Sequence, residues 1–409
     1  MRGWALFLAL GAPLLAQDFT QRGFFEARFT SFPHSAPNDS GHAVGEGLFR
    51  YEASYRLSPG WKLNGGMDAR SDTHRQVDRT AHLSWWDRER ARPAFAVRGA
   101  SAMWHRGTVT VGLGKQFIRW GKADILNPTD RFAPRDFLAV VDNDFLAVPA
   151  ARLTVERGSD TVDLVMQARF TPSRTPLLDQ RWVVLPEGLP PGMRIIDGGA
   201  RYPGGPQSGM RWNHLGAGYE FSASFYDGHN HLPVLDADTV LTPAGPQVVV
   251  ARNFAQMRMY GGDAAIPLRP FTLKGEAAYF TSSNPLVNDY GLYVVQAERD
   301  VGEWTLVGGY AGQWSSRTPR GLDFAPDRGL TKAFLGRASY TIDTNRSLAF
   351  EAAVRQSGDG VWLKSEYSQA FGQHWRATAG FTLIRGDRED FLGQYRRNSH
   401  AILALRYSF

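Results

Sequence analysis

The sequence predicts an all-β fold: a transmembrane antiparallel β-barrel of about eighteen strands, with about sixteen as the alternative count. Three observations predict it. Long stretches alternate apolar with polar residues, tight turns alternate with long loops, and the last strand ends on an aromatic residue.

At the start, Arg2 supplies one positive charge, an apolar stretch runs from Trp4 to Leu15, and Ala16 is small. That pattern reads as a secretory signal peptide over residues 1–16. A membrane anchor fits less well, because the run is short and Pro13 interrupts it. Residues 17–409 then read as a single barrel, since no Pro/Ser-rich linker, composition shift or charge block divides them. No later stretch reaches the roughly 18 uninterrupted apolar residues of a membrane helix. The chain has no cysteine, which excludes disulfides, thiolate metal sites, iron–sulfur clusters and haem attached through cysteine.

The strands follow in order. From Gly45 to Leu57, one side carries Phe49, Tyr51, Ala53 and Tyr55, and the other Arg50, Glu52, Ser54 and Arg56. After Ser58-Pro59-Gly60 the beat resumes, with Trp61, Leu63 and Met67 opposing Lys62, Asn64, Asp68 and Arg70. The same alternation recurs around Lys274, Trp304, Arg337, Phe350 and Trp375. A soluble sandwich would alternate too, but its strands are usually about five or six residues. These run about 9 to 12, the length that crosses a bilayer when tilted.

Long loops are expected at 33–44, 72–93, 121–149, 171–210, 227–256, 281–289, 313–330 and 385–398, with tight turns between them. Such alternation places turns on the periplasmic side and loops outside. Trp61, Phe271, Trp304 and Trp375 open upward strands, at the height of a membrane interface. Two places are crowded or ambiguous: Trp212 to Tyr226 must hold two strands and a turn, and Arg79 to Trp86 could form an extra loop strand. The final strand, Ser399 to Phe409, aligns Ala401, Leu403, Leu405, Tyr407 and Phe409 on the lipid side. It resembles the C-terminal signature that the outer-membrane assembly machinery reads.

One strand loses its rhythm. Val109, Val111 and Leu113 alternate with Thr110, Gly112 and Gly114, and then charge arrives at Lys115 and Arg119. A lipid-facing strand cannot carry such charges far, so it must bulge, end or leave the sheet near Lys115. Residues 116–148 are therefore expected to fold inward as a constriction, with an exposed outer loop as the alternative. The candidate residues are Lys115, Gln116, Arg119, Trp120, Lys122, Asp124, Asp130, Arg131, Arg135 and Asp136.

The run Gly114-Lys115-Gln116, Trp120-Gly121 and Asn127-Pro128-Thr129-Asp130 resembles the Gly-Arg-Gln, Trp-Gly, Asn-Pro-x-Asp signature of a large, poorly characterised family of Gram-negative outer-membrane barrels. That family of unknown function stands near the porin and alginate-export-type barrels. The run covers about a tenth of the chain, and Lys115 replaces the family's usual arginine. The resemblance implies transport of solutes, lipid-like ones included, without naming a cargo.

The predicted register sends Arg50, Arg56, Lys62, Arg70, Arg98, Lys274, Arg337, Arg355, Lys364, Arg376 and Arg406 inward, together with Glu52, Asp68, Glu276, Glu298, Glu351 and Glu366. Cross-strand ion pairs account for most of these charges. The cationic excess in a water-filled lumen would still raise the local concentration of anions. The formal net charge of +6 is spread among 40 acidic residues, with no basic cluster of the kind that binds nucleic acid.

Neither a Gly-x-Ser-x-Gly elbow nor a His-Glu-x-x-His motif occurs, so no enzyme activity, cofactor or metal is expected. His229 and His231 beside Asp227 read as a solvated loop rather than a metal site. Asp142-Asn143-Asp144 reads equally as a turn or a weak calcium site. The expected function is passive passage of small solutes through an outer-membrane channel. An exporter or lipid-handling barrel, a sheath for a separate multihaem cytochrome and a barrel hydrolase are the alternatives. Outer-membrane lipid and lipopolysaccharide are the expected surroundings; a homo-oligomer or periplasmic partner is left open.

Overall fold

The computed structural model describes residues 18–184, 193–243, 245–315 and 322–409. The expected signal peptide lies outside the described residues. Eighteen long strands build the wall: β1 (Phe19–Ser31), β2 (Ala43–Ser58), β3 (Trp61–Asp72), β4 (Phe95–Arg106), β5 (Val109–Gln116), β6 (Val148–Arg157), β7 (Asp160–Gln167), β8 (Gln207–Gly216) and β9 (Tyr219–His229) form the first half. The second half is β10 (Gln256–Pro267), β11 (Thr272–Thr281), β12 (Tyr290–Val301), β13 (Trp304–Ser315), β14 (Ala333–Asp343), β15 (Arg346–Arg355), β16 (Gly360–Phe371), β17 (Trp375–Gly386) and β18 (His400–Ser408). Each strand pairs antiparallel with its chain neighbours, and β1 pairs with β18. The sheet therefore closes, leaving no row of unpaired backbone groups for hydrocarbon to meet.

Phe409 completes the seam. Its backbone exchanges hydrogen bonds with Gly23 at 2.9 and 3.0 Å, and its ring packs against Phe25 and Phe49 with centroids 5.9 and 6.4 Å away.

Outward positions are the apolar ones of the alternation: Phe25, Phe29, Leu63, Met67, Leu113, Met210, Phe350, Phe381 and Leu403 are all exposed. A belt of this kind has bilayer as its solvent. At the turn end, Trp304 packs on Tyr340 at 4.7 Å and Trp375 on Tyr407 at 5.0 Å, as interfacial aromatics do.

The eighteen-strand count holds; the structure settles the two ambiguous places and differs from the sequence reading in two others. The crowded stretch has room, because β8 begins at Gln207, β9 runs to His229, and Ala217-Gly218 turns between them with Gly218 at φ +85°. The ambiguous loop yields only a two-residue strand, Leu83–Ser84, parallel to Phe95 and Ala96. Residues 356–359 join β15 to β16 at the loop end with a short connection, which breaks the strict alternation. Stretches expected as plain loops carry a separate four-stranded sheet of Arg194–Arg201, Val234–Thr242, Gly245–Asn253 and Leu322–Asp323. Its β-branched run Val248-Val249-Val250 favours a strand, but it falls outside the alternating wall pattern.

Inward positions are not polar along their whole length. Beyond Glu276, β11 turns Ala278 and Phe280 inward; β10 does so with Met257 and Met259, and β12 with Leu292 and Val294, all buried. A polar lumen face becomes an apolar dock where another part of the chain covers it.

Candidate functional site

What covers that dock is the segment after β5. Gly114 has φ +121°, and a Cβ there would lie 2.3 Å from the Ala100 carbonyl oxygen, so the position demands glycine. β5 ends two residues later, and residues 117–147 turn into the barrel interior.

The segment is held first by wall carboxylates. Glu276 accepts the backbone N–H groups of Lys122 (2.9 Å), Ala123 (3.0 Å) and Thr129 (2.8 Å), and the Thr129 hydroxyl at 2.8 Å. A Cβ on Gly121 would fall 2.6 Å from the Asn127 Cβ, so glycine permits this close fold. Gln296 accepts the Asp124 N–H at 3.0 Å, Lys274 stands 3.3 Å from the Asp124 carboxylate, and Lys122 pairs with Glu220 of β9. Trp120 donates from its indole to Asp163 of β7 at 2.8 Å and packs edge-on against Phe132.

The far end reaches strands β1 and β2, halfway round the ring from β11. Asp142 lies 3.1 Å from Arg28 of β1 and 3.7 Å from Lys364 of β16, while Asp144 lies 3.5 Å from both Arg50 and Arg98. Arg135–Asp136 and Asp144–Phe145 pair as a short hairpin ladder between these ends. The segment thus crosses the lumen from wall to wall. It leaves a cavity of about 350 Å³ on the β1–β4 side and one of about 290 Å³ toward β14–β16. Asp142 and Asn143 line both.

Behind the first cavity runs a buried chain of charge. Lys115 donates to Asp87 at 2.5 Å, Asp87 meets Arg174 at 2.7 Å, Arg174 meets Asp136 at 3.2 Å, and Asp136 meets Arg92 at 2.9 Å. Alternating signs keep each ion paired, which burial requires. Although burial pushes the Asp136 carboxyl up, Arg92 and Arg174 hold it well below the usual carboxylate range. The Asp142 carboxyl is likewise held low, by Lys364 and Arg28, against the effect of burial. Burial brings the Arg135 guanidinium down to about 10.

The candidate residues separate into three groups. Asp124, Asp130, Arg131 and Arg135 line the second cavity, and Asp136 the first. Arg119 sits 4.2 Å over the Phe145 ring and 3.3 Å from Asp130, while Lys122 and Trp120 act as tethers. Lys115 and Gln116, expected at a constriction, line neither cavity. Carbonyls of Trp85 and Val97 capture the Lys115 amine at 2.8 and 2.6 Å beneath loop 73–94, and Gln116 donates to the Ala150 carbonyl at 2.9 Å.

Among the expected wall residues, Arg50 pairs with Asp68 at 2.8 Å, Arg70 with Asp68 at 2.9 Å, Lys274 with Glu298 at 2.5 Å and Arg406 with Glu26 at 2.5 Å. Glu52 stands between Arg22 and Arg98. Arg337 and Glu351 lie 3.8 Å apart, and Arg355 is drawn to Asp390 at 2.7 Å. Arg376 reaches Ser368 at 3.4 Å. Arg56, Lys62 and Glu366 complete the register on their strands. The sequence reading did not single out Glu26, Glu220, Arg92 or Arg174; for Glu26, the alternation of β1 was the available signal.

One loop expectation is corrected, and one open alternative is narrowed. His231 is buried rather than solvated: its ring stacks on Phe170 at 5.4 Å, and its nitrogens lie 2.6 Å from the carbonyl oxygens of Thr171 and Arg131. Those two acceptors favour the imidazolium, yet burial outweighs them and pushes the ring down to about 4. Asp142 and Asp144 are committed to cations, which disfavours the calcium reading. Among the described residues, no three His, Asp or Glu side chains group to hold a metal ion.

A closed barrel belted with apolar residues, polar within and crossed by a folded-in segment, has the architecture of outer-membrane porins. The solved structures it resembles belong to that class. They include Acinetobacter baumannii OccAB4 (TM-score 0.56, 8% identity, covering 96% of this chain and 98% of that one) and a BenF-like porin from Pseudomonas fluorescens Pf-5 (0.57, 10%, 96% and 98%). Pseudomonas aeruginosa OccK2 (OpdF), solved with glucuronate, gives 0.56 at 10% identity, with 96% of each chain covered. At these identities the likeness is one of fold. No family model and no curated protein matches the chain.

Proposed function

We propose that the protein is an outer-membrane channel for the passive passage of small solutes, without a reaction cycle, and that residues 116–148 form its constriction. The observation that carries this reading is the wall-to-wall segment, with a cavity lined by polar groups on each of its sides. Polar side chains line the first cavity in balance: seven arginines, among them Arg28, Arg50, Arg92 and Arg98, stand with seven carboxylates, among them Glu46, Asp68 and Asp136.

The folded-in segment carries five carboxylates against four cations, so it offsets only a small part of the cationic excess of the wall. At the turn end, Arg56 faces Lys62 across a strand pair, and Arg376 reaches the Ser368 hydroxyl. A weak anion preference follows. The surroundings are outer-membrane lipid and lipopolysaccharide, and the last strand is the segment offered to the assembly machinery.

Single-channel recording in planar bilayers tests the channel. Stable, small conductance steps are expected, and their absence from folded protein would overturn the reading. Reversal potentials in a salt gradient should show slight anion selectivity; cation selectivity contradicts it.

A further inference from the structure

Three residues that line the cavity toward β14–β16 carry buried polar atoms that no described residue satisfies. Trp362 and Arg131 are 6% and 9% exposed, yet the indole Nε1 and the guanidinium Nε have no hydrogen-bond partner among the described residues. Both carboxylate oxygens of Asp327 are buried without a donor as well, with Arg131 Nη1 the nearby cation at 3.7 Å. Buried groups of this kind call for partners.

These orphans come in both senses, two N–H donors and two acceptor oxygens. Charge around them is nearly balanced, four cations against five carboxylates, and several are already paired: Arg337 with Glu351, Lys364 with Asp142, Asp124 with Lys274. An ionic ligand would answer one sense and oppose the other. Hydroxyl groups donate and accept, so a polyhydroxylated molecule answers both. A volume of about 290 Å³ suits one ring rather than a chain.

We propose that this cavity is a binding subsite for a neutral polyhydroxylated solute, a single sugar ring, held by Asp327, Arg131 and Trp362. Hydroxyls donate to the Asp327 carboxylate and accept from Trp362 Nε1–H and Arg131 Nε–H. A uronate brings its charge against Asp327 and Glu351, and an amino sugar against Arg131 and Arg337. The proposal rests on the channel reading only for the solute's route to the cavity.

The test is ligand-observed saturation-transfer NMR on the full chain folded in detergent micelles, with D-glucose, D-glucuronate and D-glucosamine as probes. Glucose should bind more tightly than either charged probe, and Asp327→Asn and Trp362→Phe should each raise its Kd roughly tenfold, the loss of about one hydrogen bond. No transfer to glucose in the wild type overturns the proposal, as does tighter binding of a charged probe. Unchanged glucose binding in both variants, with gel mobility confirming that they fold, overturns it too. The wild-type measurements decide even where a variant does not fold. Conductance without glucose binding sinks this inference alone; binding without conductance sinks the channel reading alone.

Discussion

Around β2 and β3 the wall is held by partners the chain supplies from next door: Phe49 faces Ala69, and Arg50 faces Asp68 across one tight turn. In the folded-in segment, the Lys122 N–H meets Glu276 across 154 positions, and the Asp124 N–H meets Gln296 across 172. The wall repeats a local rule strand after strand, whereas the segment depends on a few distant polar contacts. Damage to the wall should therefore spread thinly, and damage to the segment's tethers should concentrate.

The largest effect is expected from Asp87→Ala. It strands Lys115 as a buried cation and leaves Arg174 with Asp136 alone, a loss of about 3–5 kcal/mol, read as a lower midpoint in denaturant. A wild-type midpoint would show that the buried charge chain contributes no more than an exposed pair. Next comes Glu276→Gln, which keeps the shape and removes the charge from four hydrogen bonds, about 2 kcal/mol. Its signature is a larger, noisier single-channel current from a barrel that still migrates as folded. An unchanged current would mean that the segment does not depend on Glu276.

A third test uses pH. The Asp136 and Asp142 carboxyls are held low in the folded protein, so their contribution is fully present above the ordinary carboxylate value near ~4. It is lost only as pH falls below that toward their folded values. Conductance should stay level from pH 7 to about 4.5 and rise below it; a rise already near 6 contradicts the account. The smallest effect belongs to the wall: Arg22, 82% exposed beside Glu52, should lose less than about 0.5 kcal/mol on Arg22→Ala.

This contrast also explains what could be read from the sequence. The period-two beat of Arg50, Glu52 and Arg56 is a local signal, and it specified the barrel and its eighteen strands. Gly114 and Lys115 marked where the strand fails, because charge cannot continue on a lipid face. The partners of the segment left no such mark. Glu276 looked like any other inward carboxylate, and Asp87, Arg92 and Arg174 lie in loops with no period. Lys115 illustrates the limit: its charge was visible, but its burial under loop 73–94 depends on carbonyls of Trp85 and Val97. Apolar inward residues such as Phe280 and Leu292 broke the expected polarity for the same reason, since what covers them arrives from far along the chain.

Three of the four groups that Glu276 grips are main-chain N–H groups, which every residue but proline supplies. The grip of Glu276 is therefore nearly blind to side-chain identity at positions 122 and 123. Side chains that face the second cavity without touching Glu276, such as Arg131 and Arg135, can be exchanged while that grip stays in place. A lineage of such barrels could change what it admits by point substitution while keeping one inherited path across the lumen.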